Sequence, residues 1–139
     1  MRIVLDTNVF VSALIKPEGT TGIVLKTVLQ IQQHTLLLSQ DILEELESTL
    51  TYPKIKKCIV LNSDQIDLWV ASLRMVAHEV NPRFDYPTLV PDDPKDDRYI
   101  IAAIEGKADC IVSGDKHLLN LNPYERIPIL KPAEFLNDL

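Results

Sequence analysis

Cysteine is scarce in this 139-residue chain. Cys58 and Cys110 are the two present, far apart and in unlike contexts, which leaves no disulfide framework and no paired spacing of a zinc or redox site. His34, His78 and His117 fall in unrelated segments; without ligand spacing they argue against zinc as well and are expected at the surface. No apolar run approaches the ~20 residues that span a bilayer, and the N-terminus has neither the charged region, the apolar stretch nor the cleavage site of a secretion signal. A soluble, cytoplasmic protein with reduced thiols and no membrane partner is expected. Basic residues are outnumbered, 14 Lys and Arg against 20 Asp and Glu, for a net charge of −6. That balance argues against a nucleic-acid binder with a broadly basic surface. It leaves open a local basic patch, or acids gathered around a cation that reverses the field at the site. Internal repeats and low-complexity tracts are absent too. The length suits one domain, residues 1–139, able to bury a core without staples.

What is present alternates. Short apolar runs are separated by longer segments of helical period, which predicts an α/β fold: three layers, α/β/α, around a central, mainly parallel five-stranded sheet. Ile3 to Leu5, "TLLLS" at 35–39, "HEVN" at 78–81, "CIVS" at 110–113 and "IPIL" at 127–130 read as strands, the last at an edge. Helices are predicted over 20–33, with Ile23, Val24, Val28 and Ile31 on one side; over 40–51; over 63–76 around Ile66, Trp69, Val70 and Leu73; and over 96–106. A short helix at 115–121 and a closing one begun by Pro132 follow. Pro82, Pro87, Pro91 and Pro94 make the stretch before residue 96 an irregular loop within the domain.

Four acidic segments carry the chemical interest. "RIVLDTNVFV" runs a buried strand straight into Asp6, an expensive place for a carboxylate unless hydrogen bonds or a cation compensate it. Asp115 follows "CIVS" after Gly114, whose missing side chain is read as allowing a sharp bend. In an open parallel sheet, ligands bind beyond the carboxyl ends of strands, so both acids are expected to face one crevice. "DDPKDD", from Asp92 to Asp97, stands at a helix start, and the 40–51 helix carries Glu44, Glu45 and Glu47, among which the period of Leu43, Leu46 and Leu50 does not choose. Hard oxygen donors that converge call for magnesium or manganese. The plainer reading of Asp96 and Asp115 is helix capping, worth ~1 kcal/mol each. The macrodipole at a helix N-terminus should also keep both ionised. Lys54, Lys56 and Lys57 form the densest basic cluster, read equally as a solvated charge run or as an RNA-backbone contact. "Ser113-Gly114-Asp115" is not a nucleophile elbow with glycines on both sides of the serine, and no histidine partner can be assigned to it.

Taken in order, these segments resemble the PIN domain family of metal-dependent nucleases over almost the whole chain. "VLDTNVFVSAL" is similar to the family's opening strand and turn, "LSQDILEELESTL" to its second acidic segment, and "DDPKDDRYIIAAIEGKADCIVSGDKHLL" to its closing block. The resemblance implies an acidic quartet of Asp6, Glu45, Asp96 and Asp115, both catalytic and metal-binding, with Asn8 and Ser113 supporting the first and last acids. Asp93 and Asp97 leave the register of Asp96 open. It further implies an endoribonuclease using one or two Mg²⁺ or Mn²⁺ ions on single-stranded or structured RNA, similar to compact prokaryotic members that act as toxins of toxin–antitoxin pairs. An antitoxin protein is then the expected partner; family members often pair as homodimers. Two other readings are weighed: a silent RNA- or protein-binding module on the same fold, which the intact quartet disfavours, and an aspartate-nucleophile phosphohydrolase, which usually has a second acid where Asn8 stands.

Overall fold

The computed structural model describes residues 1–139. Five strands, β1 (Arg2–Leu5), β2 (Thr35–Ser39), β3 (His78–Val80), β4 (Cys110–Val112) and β5 (Ile129–Leu130), form one sheet in the order β3-β2-β1-β4-β5. All four pairings are parallel. β1 lies at the centre because Ile3, Val4 and Leu5 are apolar to both sides and at most 1% exposed, the continuous apolar run that a strand covered on both faces requires. Its register sets Ile3 beside Leu36 and Cys110, and Leu5 beside Val112. The sheet is therefore wholly rather than mainly parallel, with β5 at an edge as the sequence predicts.

Helices complete three layers: α1 (Thr7–Ile15), α2 (Thr20–Gln30), α3 (Gln40–Leu50), α4 (Pro53–Lys56), α5 (Ser63–Val76), α6 (Asp97–Glu105), α7 (Lys116–Leu119) and α8 (Pro132–Asn137). A 3₁₀ turn, Pro94–Asp96, leads into α6. α6 packs across β1, β2 and β4, and α2 packs on α1 and α8. No helix is long and apolar enough to cross a membrane.

Several elements differ from the sequence reading. α1 is a helix that the sequence pattern does not announce: Thr7, Val9, Phe10, Val11 and Ala13 are all buried, and the narrow outer stripe of Asn8, Ser12 and Ile15 carries too little polar contrast to reveal a period. α2 stops at Gln30 and buries Gly22, Val24, Leu25 and Val28, leaving Ile23 and Ile31 47% and 39% exposed. The reason is the close turn out of α1: a Cβ on Gly22 would stand 2.0 Å from the Pro17 carbonyl oxygen, so this glycine, not Ile23, faces the preceding chain. The proline-rich stretch after β3 is irregular as predicted, but it is tied down. Glu105 accepts from the backbone N–H groups of Arg83 and Phe84 and from the Tyr86 hydroxyl, and Asp97 accepts from those of Leu89 and Val90. Two carboxylates on α6 thus answer donors that have no sheet to join.

Candidate metal centre

Asp6 is the first residue past β1, and the register that pairs Leu5 with Val112 sets it beside Ser113. Its backbone N–H continues the ladder to the Val112 carbonyl at 3.0 Å. The side chain, 3% exposed, caps α1 by accepting from the Asn8 backbone N–H at 3.2 Å and from Ser113 Oγ at 2.7 Å. Burial raises the Asp6 pKa above its ordinary value; these two hydrogen bonds pull it back, and the Asp115 and Glu45 carboxylates push it further up.

Ser113 Oγ also accepts from the Asp115 backbone N–H at 2.9 Å. One buried hydroxyl therefore links two acids that lie just past the carboxyl ends of adjacent strands. Asp115 caps α7, accepting from the His117 N–H at 2.8 Å, as its capping reading predicts. Gly114 does not serve the role read from the sequence. Its φ is not positive, and a Cβ there would meet nothing within 4 Å, so the turn needs no glycine and the space beside Asp115 is open.

Asp96 sits in the 3₁₀ turn, 6% exposed. Its expected capping bond is missing, and its Oδ2 is buried with no hydrogen-bond partner. Instead it faces other acids: Asp93, Asp96 and Asp115 each bring a carboxylate oxygen within 4.8 Å of the others. Burial first, then the adjoining Asp115 carboxyl, then Asp93 and Asp6, push the Asp96 pKa up to about 8. This overturns the expectation that the helix macrodipole keeps Asp96 ionised. The dipole is worth roughly 0.3–1 kcal/mol, whereas two like charges 4 Å apart near a protein surface repel by on the order of 4 kcal/mol.

The three α3 glutamates separate cleanly. Glu44 accepts from Gln40 and Glu47 pairs with Arg74 at 3.6 Å, both on the exposed side. Glu45 turns inward, where its charge reaches Asp6. It stands outside the close trio, held by Tyr99, Thr7 and Arg98. The quartet of Asp6, Glu45, Asp96 and Asp115 thus gathers at one end of the sheet, in two parts joined by the Asp6–Ser113–Asp115 link.

Other residues fall differently. Asp93 joins the trio and Asp97 does not, since the Asp97 carboxylate is taken up by Leu89 and Val90. Asn8 supports Asp6 through its backbone; its side chain is exposed. Lys54, Lys56 and Lys57 are exposed on and after α4, beyond the C-terminal end of α3, whereas the crevice adjoins the N-terminal end. His34 and His117 are half-buried rather than at the surface: the His34 ring lies 6.3 Å from that of Phe135, and His117 Nδ1 is buried without a partner. The sequence reading missed the polar roles of Thr7, Arg98 and Tyr99. A tyrosine on the buried face of α6, three residues past Asp96, was the available signal, because a buried phenol needs a partner.

The donor set is all carboxylate oxygen, without His or Cys, and Asp96 Oδ2 is a buried acceptor lacking any donor. Both features fit a hard divalent cation such as Mg²⁺ or Mn²⁺.

A family model described as PIN domain matches residues 2–117. The uncharacterized protein MJ1680 of Methanocaldococcus jannaschii is 31% identical over 146 aligned residues, covering 99% of this chain and 91% of that protein. Among solved structures, a chain in the crystal structure of VapBC2 from Rickettsia felis bound to a DNA fragment from their promoter shares the fold. Its TM-score is 0.64 at 17% identity, over 94% of this chain and 98% of that one.

Proposed function

Because the chain belongs to the PIN domain family, whose members are generally nucleases, we propose that it is a Mg²⁺- or Mn²⁺-dependent endoribonuclease. The observation that carries this reading is the convergence of Asp93, Asp96 and Asp115 to within 4.8 Å, with Asp6 tied to Asp115 through Ser113. Repelling acids placed together on rigid strand ends and helix starts are a stability cost that a cation would relieve.

In this proposal residues 1–139 form one PIN domain, and Asp6, Asp96 and Asp115, with Asp93 beside them and Glu45 across the crevice, hold one or two ions. A divalent cation bound there lowers the pKa of water and offsets negative charge on a phosphodiester. The chain's own residues do the rest. Ser113 fixes the Asp6 carboxylate while its oxygen holds the Asp115 backbone. Asp115 stays turned inward because the α7 cap fixes its Oδ1. Asp96 would offer the ion its Oδ2, a buried acceptor without a donor. The open space past Gly114 leaves room for an RNA backbone to approach. Lys54, Lys56 and Lys57, at the far end of α3, would meet RNA only away from the bond being cut.

The likeness to a VapBC2 chain supports a role as the toxin of a toxin–antitoxin pair, acting in the cytoplasm, held inactive by an antitoxin protein and pairing as a homodimer. The test is Mn²⁺-dependent cleavage of single-stranded RNA by the wild type, Asp6→Asn and Asp96→Asn. Each variant is expected to lose more than about 100-fold, beyond the loss typical of residues that only support a ligand. Full activity in either variant would overturn the assignment, and RNA retention without turnover by the wild type would mark a binding module instead.

A further inference from the structure

Groups from two other elements close on one oxygen of Glu45. The Tyr99 hydroxyl of α6 bonds Glu45 Oε2, Thr7 Oγ1 at the start of α1 lies 3.5 Å from the same atom, and the Arg98 guanidinium is 3.6 Å away. Every contact made by the carboxylate runs to Oε2; Oε1 has none.

The direction of the Tyr99 bond follows from counting protons. Thr7 meets the phenol oxygen twice, its backbone N–H donating at 3.3 Å and its Oγ1 lying 2.7 Å away. The Glu45 oxygen, which can only accept, stands at the shorter of the phenol's two side-chain contacts and takes its single proton, which leaves the Thr7 hydroxyl to donate to the phenol oxygen. The ring is 1% exposed, so the hydroxyl cannot turn away to water. Arg98 is anchored independently, Nε on the Lys95 carbonyl at 2.8 Å and Nη1 on the Asp41 carbonyl at 3.0 Å.

We propose that Tyr99 is a positioning residue of the acidic centre: Thr7 orients its hydroxyl, and that hydroxyl holds Glu45 by Oε2 so that Oε1 alone is offered to a divalent cation. Glutamate is long and readily adopts other rotamers; the clamp fixes it and prevents it from gripping an ion with both oxygens. Two-oxygen binding by carboxylates is common for Ca²⁺, whereas smaller ions demand tighter, near-octahedral geometry. Tyr99 thereby favours Mg²⁺ or Mn²⁺ over Ca²⁺. The inference rests on the metal-binding reading of the site.

The experiment measures Mn²⁺ affinity by electron paramagnetic resonance, with Ca²⁺ competition, in the wild type, Tyr99→Phe, Thr7→Val, Glu45→Gln, Glu45→Gln/Tyr99→Phe and Asp96→Asn. Tyr99→Phe keeps the buried ring and is expected to bind Mn²⁺ about tenfold more weakly, with a reduced preference over Ca²⁺. Thr7→Val should move both in the same direction by less. The double variant should be no weaker than Glu45→Gln alone, since Tyr99 acts through that carboxylate. If Tyr99→Phe keeps wild-type affinity and ion preference while Asp96→Asn loses the ion, the clamp is refuted and the metal site stands. Additive losses in the double variant also refute it. If the wild type binds no Mn²⁺, both readings fall.

Discussion

Asp96 carries a proton in the folded protein at pH values where a free aspartate has lost it. Its pKa is raised from 3.8 to about 8, so the native state binds more protons than the unfolded chain between those limits. Stability from Asp96 is then fully present below about pH 4 and is lost as pH rises through about 8. Asp6, also raised, acts with the same sign. In EDTA, the melting temperature of the wild type is expected to fall from pH 5 to pH 8 more steeply than that of Asp96→Asn, which should be the more stable of the two at pH 8. Calorimetry across that range checks it, and parallel curves would refute it. The same residue shows how one side chain can be a poor choice for folding and a good one for binding: a buried oxygen without a donor disfavours the ion-free protein and suits a cation.

At the scale of elements, two glycines separate geometry from sequence pattern. Gly22→Ala drives a Cβ into the Pro17 backbone and should cost about 1–3 kcal/mol; Gly114→Ala enters open space and should stay within about 0.5 kcal/mol. Urea unfolding of both variants decides this, and equal losses would contradict the packing described for the α1–α2 turn. Strands β1, β2 and β4 are legible in the sequence because full burial leaves unbroken apolar runs, and α3 and α5 because one face is wet. α1 is not, since its outer stripe of Asn8, Ser12 and Ile15 is narrow and ends in an apolar residue, which removes the contrast that a period needs. Asp6 and Asp115 are legible by their position at strand ends. Glu45 is not separable from Glu44 and Glu47 without its neighbours; the family resemblance points to it, and the structure sets it by Tyr99. Within "DDPKDD", the choice among Asp93, Asp96 and Asp97 depends on a 3₁₀ turn that sends adjacent carboxylates in opposite directions, one to the acids and one to the Leu89–Val90 backbone. No periodicity encodes that turn.

Across the whole molecule, a net charge of −6 is partly concentrated at one crevice, so divalent cations should stabilise the fold and protons should compete with them. Mn²⁺ at about 100 times its dissociation constant is expected to add about 2.7 kcal/mol, or several degrees of melting temperature, at pH 8. The gain at pH 5 should be smaller, and EDTA should reverse both. A gain independent of pH would exclude Asp96 as the competing group. The match to the family model ends at residue 117, yet the side of β4 away from β1 is paired by β5, and Phe135 of α8 is 1% exposed. Residues 118–139 therefore act as a hem on the sheet: unpicked, they would bare a row of unpaired amides and carbonyls beside Ile111 and Val112, an invitation to stick edge to edge with a neighbouring molecule.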